Sequence, residues 1–370
     1  MLTRLLALTL AIPAALSPLS PSCASTGGSD PPIVSDTEFA RLVTQLSEDP
    51  GYFWSNNYIS NETSYLHVID DLLAMDLKDG AYIGVGPNQN FTYIAAVRPR
   101  LAFIVDIRRQ NLIEHLLFKV LISSSETRED YLARLVARPI SKKLGAAASL
   151  ADVIDNIEST AADPVFYQEQ LAFILEELSR MPDLSLSRQD LDDVRLIYRE
   201  FFRQGFDIKY DNWRSFFFPS LKEFILETDL NGRHRNWLAS EETFQFVRTM
   251  ERENRIIPVV GDFAGDQALR RVGRLLESRR MAVSVFYVSN VEFYLFRQRK
   301  WEAFVENVER LPTTESSVFV RAYANLHRPH PSMVKDHITI TLVQNIHTFL
   351  RNARAGRYRN LWDVVTADAL

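Results

Sequence analysis

The chain has 370 residues, 46% of them apolar and 24% charged, a balance that excludes a disordered chain, a collagen-like fibre and a multi-span membrane protein and leaves room for one or two globular cores. Its 42 basic and 47 acidic side chains give a net charge of −5, so there is no cationic excess to neutralise phosphates and no nucleic-acid partner is expected. A single cysteine, Cys23, rules out an intrachain disulfide and a cysteine-based zinc centre.

Residues 1–25 begin with Arg4, continue through the apolar run from Leu5 to Ile12 and end in small residues, the layout of a secretory signal that is too short to span a bilayer. Cys23 follows Ser20-Pro21-Ser22 and loosely matches the lipidated cysteine of bacterial lipoproteins, with Ser20 standing where an aliphatic residue is usual. Export to the periplasm is therefore expected, with a lipid anchor at Cys23 as the only membrane contact. The alternative is a cytoplasmic chain whose natural start lies further along. Residues 26–35, rich in Gly, Pro, Ser and Asp, read as a tether.

Helical periodicity covers 38–46 and 66–75 and leads to a continuous apolar run at 81–85. A helix at 88–96, a second run at 101–105 and a helix at 111–123 follow. Strand signals then vanish, and helices are predicted over 129–137, 150–160, 164–181, 187–204 and 241–252. Two more apolar runs, at 255–260 and 282–288, flank a helix at 266–280; another helix spans 301–311, and strands are predicted at 317–324 and 337–345. Runs that are apolar throughout, without alternation, belong to strands covered on both faces. The pattern predicts an α/β protein with a doubly wound, mostly parallel sheet and a C-terminal antiparallel hairpin. The sheet domain is expected to be split into 36–123 and 253–370 by a large α-helical insertion over 124–252.

The first strand opens into Gly84-Val85-Gly86-Pro87-Asn88. Glycines at the mouth of a strand let backbone approach a ligand, and the amides that open the next helix attract polar or anionic groups, although a tight turn uses glycines too. The second strand ends in Asp106 and the third in Gly261-Asp262-Phe263. An acid at the end of a second strand suits the hydroxyls of a ribose. Each acid also has a local reading: Asp106 as a helix cap neutralised by Arg108 and Arg109, and Asp262 as the cap of the helix near Asp266.

These motifs resemble those of the class I S-adenosylmethionine-dependent methyltransferases, over residues 60–110 and 253–345. The resemblance implies a Rossmann-like fold and S-adenosylmethionine as cofactor. Gly84 and Gly86 match the first two glycines of the loop that holds the cofactor's amino-acid portion, and Asn88 stands where a third glycine is common. Asp106 matches the ribose acid, and Asp262 with Phe263 the adenine position. Asn290 and Glu292, past the fourth strand, fall where the family faces the transferred methyl group, and they could orient or deprotonate a nucleophile. Tyr82 replaces the acid that normally opens the loop. The stretch from Trp54 to Thr63 is similar to an uncharacterised bacterial branch described only as methyltransferase-like, and its Asn57, Asn61 and Glu62 form a polar cluster expected over the crevice, with Asn61 counted among the cofactor contacts.

Other features read more plainly. His327, His330 and His337 invite a metal reading, but surface-loop histidines are the simpler account and no metal is expected. The aromatic cluster from Tyr210 to Phe224, with Trp213 and Phe216, is either core of the insertion or the wall of a substrate pocket. Two functions stay open: transfer of a methyl group to an unidentified acceptor, or an exported, non-catalytic small-ligand-binding or interaction protein. A NAD-dependent dehydrogenase is the weaker third, because the three-glycine spacing is incomplete.

Overall fold

The computed structural model describes residues 34–75, 77–181, 183–210, 217–325 and 328–367. The expected signal segment, Cys23, Trp213, Phe216 and His327 lie outside the described residues. The N-terminal half of the chain runs α1 (Asp36–Leu46), α2 (Ile69–Ala74), β1 (Ala81–Gly84), α3 (Gln89–Val97), β2 (Leu101–Asp106) and α4 (Arg109–Ser124). Then come α5 (Arg128–Leu135), α6 (Leu150–Glu158), α7 (Pro164–Arg180), α8 (Arg188–Gln204), α9 (Leu221–Leu226) and α10 (Glu241–Arg252). The chain returns to the sheet with β3 (Ile256–Val260), α11 (Ala268–Ser278), β4 (Val283–Ser289), α12 (Val291–Arg297) and α13 (Trp301–Glu309). It ends with β5 (Thr313–Ala324), β6 (Thr339–Asn345), α14 (Ile346–Arg354) and α15 (Leu361–Thr366).

The four apolar runs and the two C-terminal strands form one six-stranded sheet in the order β3-β2-β1-β4-β5-β6. All neighbours are parallel except β6, which runs antiparallel to β5. The residues of β1, β2 and β3 are buried throughout, as strands between two helical layers must be. From β1 the chain steps outward to β2 and β3, then crosses back to β4 on the other side of β1. The carboxyl ends of β1 and β4 therefore diverge, and a crevice opens between the loops that leave them.

The described residues belong to one compact unit, so the helical segment is built onto the sheet. α4 packs against α7, α8 and α10, and α10 also packs against α3. Although its sequence groups with the insertion, α10 thus packs on the helices that flank β2 and delivers the chain to β3. Capping side chains set several of these helices: Ser149 with Asp152, Ser187 with Asp190 and Ser220 with Glu223 form reciprocal boxes, each satisfying amides that a helix start leaves free. Of the aromatic cluster, Phe224 stacks on Tyr65 at 4.2 Å and Tyr210 meets Phe218 edge-on at 5.2 Å.

Candidate functional site

The turn after β1 is held from inside by Asn90. Its amide donates to the carbonyls of Val85, Gly86 and Pro87 at 3.0, 3.0 and 2.7 Å, while its oxygen accepts the Tyr82 hydroxyl at 2.9 Å. A Cβ on Gly84 would lie 2.0 Å from that Asn90 oxygen, so Gly84 serves this packing and does not line the cleft. Gly86 differs: its φ is +75° and nothing lies within 4 Å of where its Cβ would be, the open, left-handed position that glycine adopts freely. Its carbonyl meets Nε2 of buried His115 at 2.9 Å, and burial lowers the pKa of that imidazole to about 4.

Asn88 also lies outside the cleft wall. It is buried and accepts the backbone N–H of Ser60 at 2.9 Å, while the N–H of Gln89 donates to the Ser60 hydroxyl at 3.1 Å. These bonds fix the segment around Ser60 to the start of α3. Ser64 on the same segment bonds Thr339 and Thr341 of β6, at 3.0 Å each. The polar cluster of the sequence is thereby drawn over the carboxyl edge of the sheet.

The cleft there encloses about 990 Å³, part of it open to solvent, and Asn61, Gly86, Asp106, Asp262, Phe263 and Asn290 all border it. Residues from four strand ends and one upstream segment thus meet as expected. Their partners modify the expected roles. Asp106 is clamped by Arg108, with Nε to Oδ1 and Nη2 to Oδ2 both at 3.1 Å and the Arg108 N–H to Oδ1 at 2.9 Å. Asp262 accepts Lys300 at 2.7 Å and the N–H of Ala264 at 2.9 Å. It does not cap α11. Glu48 takes that place, accepting the N–H groups of Gln267 and Ala268 at 3.1 Å each. Phe263 is only 3% exposed and its ring packs on Phe286 at 4.9 Å and Phe304 at 6.2 Å, so no flat aromatic face is offered to a purine.

Glu292 points away from the cleft. Its carboxylate is 1% exposed and faces Arg321 of β5 at 3.5 Å. Burial raises its pKa, which the neighbouring guanidinium opposes. Of the two catalytic candidates only Asn290 borders the cleft.

The carboxylate that does reach the cleft floor is Glu62. Its Oε1 accepts the Tyr287 hydroxyl at 2.8 Å and the Ser289 hydroxyl at 2.5 Å, and its Oε2 accepts the Gln89 amide at 2.6 Å. Burial raises its pKa, and the hydrogen bonds from Ser289, Gln89 and Tyr287 pull the other way. Ser289 sits at φ +51°, an uncommon backbone state for a residue with a Cβ. Tyr52, Phe53 and Tyr294 wall the mouth, joined by Tyr210 from the helical segment; Tyr52 is 85% exposed, and Phe53 meets Tyr294 edge-on at 5.3 Å. The sequence marks Glu62 only as part of a polar cluster and Tyr287 and Ser289 only as part of the fourth strand's end, whereas Arg108 is expected as a neutraliser of Asp106 and is found as its clamp. The pairings of Glu62 with Tyr287 and Ser289 arise across more than 200 residues.

Of the histidines singled out in the sequence, His330 and His337 have separate partners, and His337 also lies edge-on to His67 at 4.6 Å. His330 is buried, not a surface-loop residue, and meets the Val365 carbonyl at 3.0 Å, while His337 meets the Thr63 carbonyl at 2.8 Å. Among the described residues no group of three or more His, Cys, Asp or Glu side chains could hold a metal ion, and no helix is long and apolar enough to cross a membrane.

Fold and cleft together define an α/β protein with a polar, aromatic-walled cleft at the carboxyl edge of a mostly parallel sheet. Residues 58–369 match a family described as a domain of unknown function, DUF7790. The chain belongs to that family, whose span takes in every strand and most of the cleft. No curated protein matches the chain.

Proposed function

We propose that the cleft binds S-adenosylmethionine and that the protein is a methyltransferase-like enzyme on a doubly wound, Rossmann-like sheet. The observation that carries this reading is the convergence of Gly86, Asp106, Asp262 and Asn290, from four strand ends, on one cleft where the strand order reverses. Open α/β sheets take their ligands at such switch points. Gly86 leaves backbone open to a ligand, Asp262 brings a carboxylate to the rim, and Glu62 brings a second to the floor. The fit is tighter at Asp106, where a ribose has to share Oδ2 with Arg108 or displace it.

When bound, the cofactor supplies an electrophilic methyl group on a sulfonium. The chain's own residues bind it, orient it and keep water out, with Tyr52, Phe53 and Tyr294 as the wall an acceptor passes. Methyl transfer depends chiefly on in-line positioning, so the reading does not need Glu292 as a base. Residues 124–252 are read as an insertion that helps admit the acceptor, since Tyr210 borders the cleft.

A second reading, an exported small-ligand-binding protein without catalysis, is favoured by the clamped Asp106 and the averted Glu292. It goes with residues 1–25 as a signal and Cys23 as a lipid anchor, because no supply of the cofactor is expected outside the cytoplasm. Sequencing the mature N-terminus separates the two. For the binding reading common to both, S-adenosylhomocysteine should raise the melting temperature of the wild type but not that of Gly86→Val. No shift in the wild type at saturating ligand refutes it.

A further inference from the structure

We propose that Glu62 is the counter-ion for an ammonium group of the ligand, and so selects ligands that carry an amino-acid portion over otherwise similar neutral nucleosides. The inference rests on the reading that the cleft holds an adenosine-bearing ligand, and it identifies the group that ligand must bring.

Glu62 is 3% exposed, yet it borders the cleft beside Gly86 and Asn290. Its three hydrogen-bond donors, from Tyr287, Ser289 and Gln89, are all uncharged. An ionised carboxylate in such surroundings loses hydration that neutral donors replace only in part. A ligand ammonium restores that balance by pairing its charge with the carboxylate. Arg108 meets Asp106 and Lys300 meets Asp262 with opposite charges, so of the three acids bordering the cleft two are compensated within the chain, and Glu62 is the one left to be compensated from outside. Tyr82, in the strand from which the loop after β1 leaves, is committed to Asn90, and the loop itself, Val85-Gly86-Pro87, carries no acid. Glu62 therefore supplies, from an upstream segment, a negative charge that the loop itself lacks.

The substitution Glu62→Gln removes the charge with little disturbance. Its amide oxygen can still accept from Tyr287 and Ser289. The Gln89 side chain can turn over to offer its own oxygen, which has no hydrogen-bond partner among the described residues. The titratable groups facing Glu62 are Tyr287 of β4, Tyr93 of α3 and Tyr82 of β1, all held neutral by burial; His115, under the Gly86 loop, is also held neutral by burial until pH nears 4, so the titration is read above that.

The experiment titrates the full chain calorimetrically with S-adenosylhomocysteine, which carries the ammonium, and with 5′-methylthioadenosine, which lacks it. Glu62→Gln should weaken the first by about tenfold or more, the effect of losing a buried charge-assisted bond, and leave the second within about twofold. In the wild type, affinity for the first should rise with pH as the Glu62 carboxyl ionises, while affinity for the second stays level; this arm stands if the variant does not fold. Equal weakening of both ligands, or of neither, with no pH dependence specific to the first, overturns the role of Glu62 alone. If the wild type binds neither compound, the adenosine reading fails and the inference fails with it.

Discussion

Two buried glutamates, Glu62 and Glu292, are 3% and 1% exposed and show how differently the fold treats the same side chain. At the cleft floor, Glu62 is surrounded by hydroxyls and an amide within 2.5–2.8 Å. Beneath α12, Glu292 faces one guanidinium at 3.5 Å, and Arg321 is wedged between the rings of Phe319 and Phe349 at 5.0 and 5.4 Å. The three guanidinium nitrogens of Arg321 and Oε1 of Glu292 have no hydrogen-bond partner among the described residues. The first setting is hydrogen-bonded and faces a cavity; the second is a charge pair sealed in an aromatic core. The same side chain is thus satisfied by neutral donors at a cavity wall in one place and by a single opposite charge in the core in the other.

That contrast makes its largest prediction in the core. Arg321→Leu leaves Glu292 buried without its counter-charge and should cost about 3–5 kcal/mol in denaturant unfolding. Glu62→Gln should stay within about 1 kcal/mol of the wild type. Similar losses for the two variants would erase the distinction. Next in size is His115, whose imidazole sits under the cleft loop with a native pKa of about 4 against an ordinary 6.5. The unfolded chain binds the proton more readily, so stability holds above pH 6.5 and falls as pH drops toward 4, by up to about 3 kcal/mol. His115→Gln should flatten that slope in unfolding measured across the range.

The two loop glycines sharpen the comparison further. Gly84→Ala drives a Cβ into Asn90 and should cost about 1–3 kcal/mol of stability. Gly86→Ala meets only its backbone preference, about 1–2 kcal/mol, but places a methyl in the cleft and should weaken ligand binding. Equal effects on binding would deny Gly86 its special position. The smallest effect belongs to the rim: Lys300→Met removes an ion pair with Asp262 that is half open to solvent, worth about 0–1 kcal/mol and screened by salt.

Much of the sheet was legible because four of its strands are continuous apolar runs, and β1 to β4 lie where those runs lie, with β5 and β6 over the two further predicted strands. The polar start of β5, from Thr313, was not, since it pairs at the edge without an apolar signal. Short helices such as α12 and α15 escaped notice for want of a repeating face, and so did α14, which follows β6 without a break. In the site, Gly86, Asp106, Asp262 and Asn290 could be found because strand ends point to one edge. Of their partners only Arg108, two residues from Asp106, was in view; Glu48 caps a helix more than 200 residues away, and Arg321 captures Glu292. These choices are made by side chains meeting across the fold, where local pattern carries no information.

The central claim is that residues from four strand ends and the Glu62 segment form one ligand site. The most direct test is a crystal structure of the full chain with S-adenosylhomocysteine. Density for the nucleoside between Gly86, Asp106 and Asp262, with its amino group toward Glu62, is the predicted result. A ligand bound elsewhere, or a cleft left empty under saturating conditions, would contradict it.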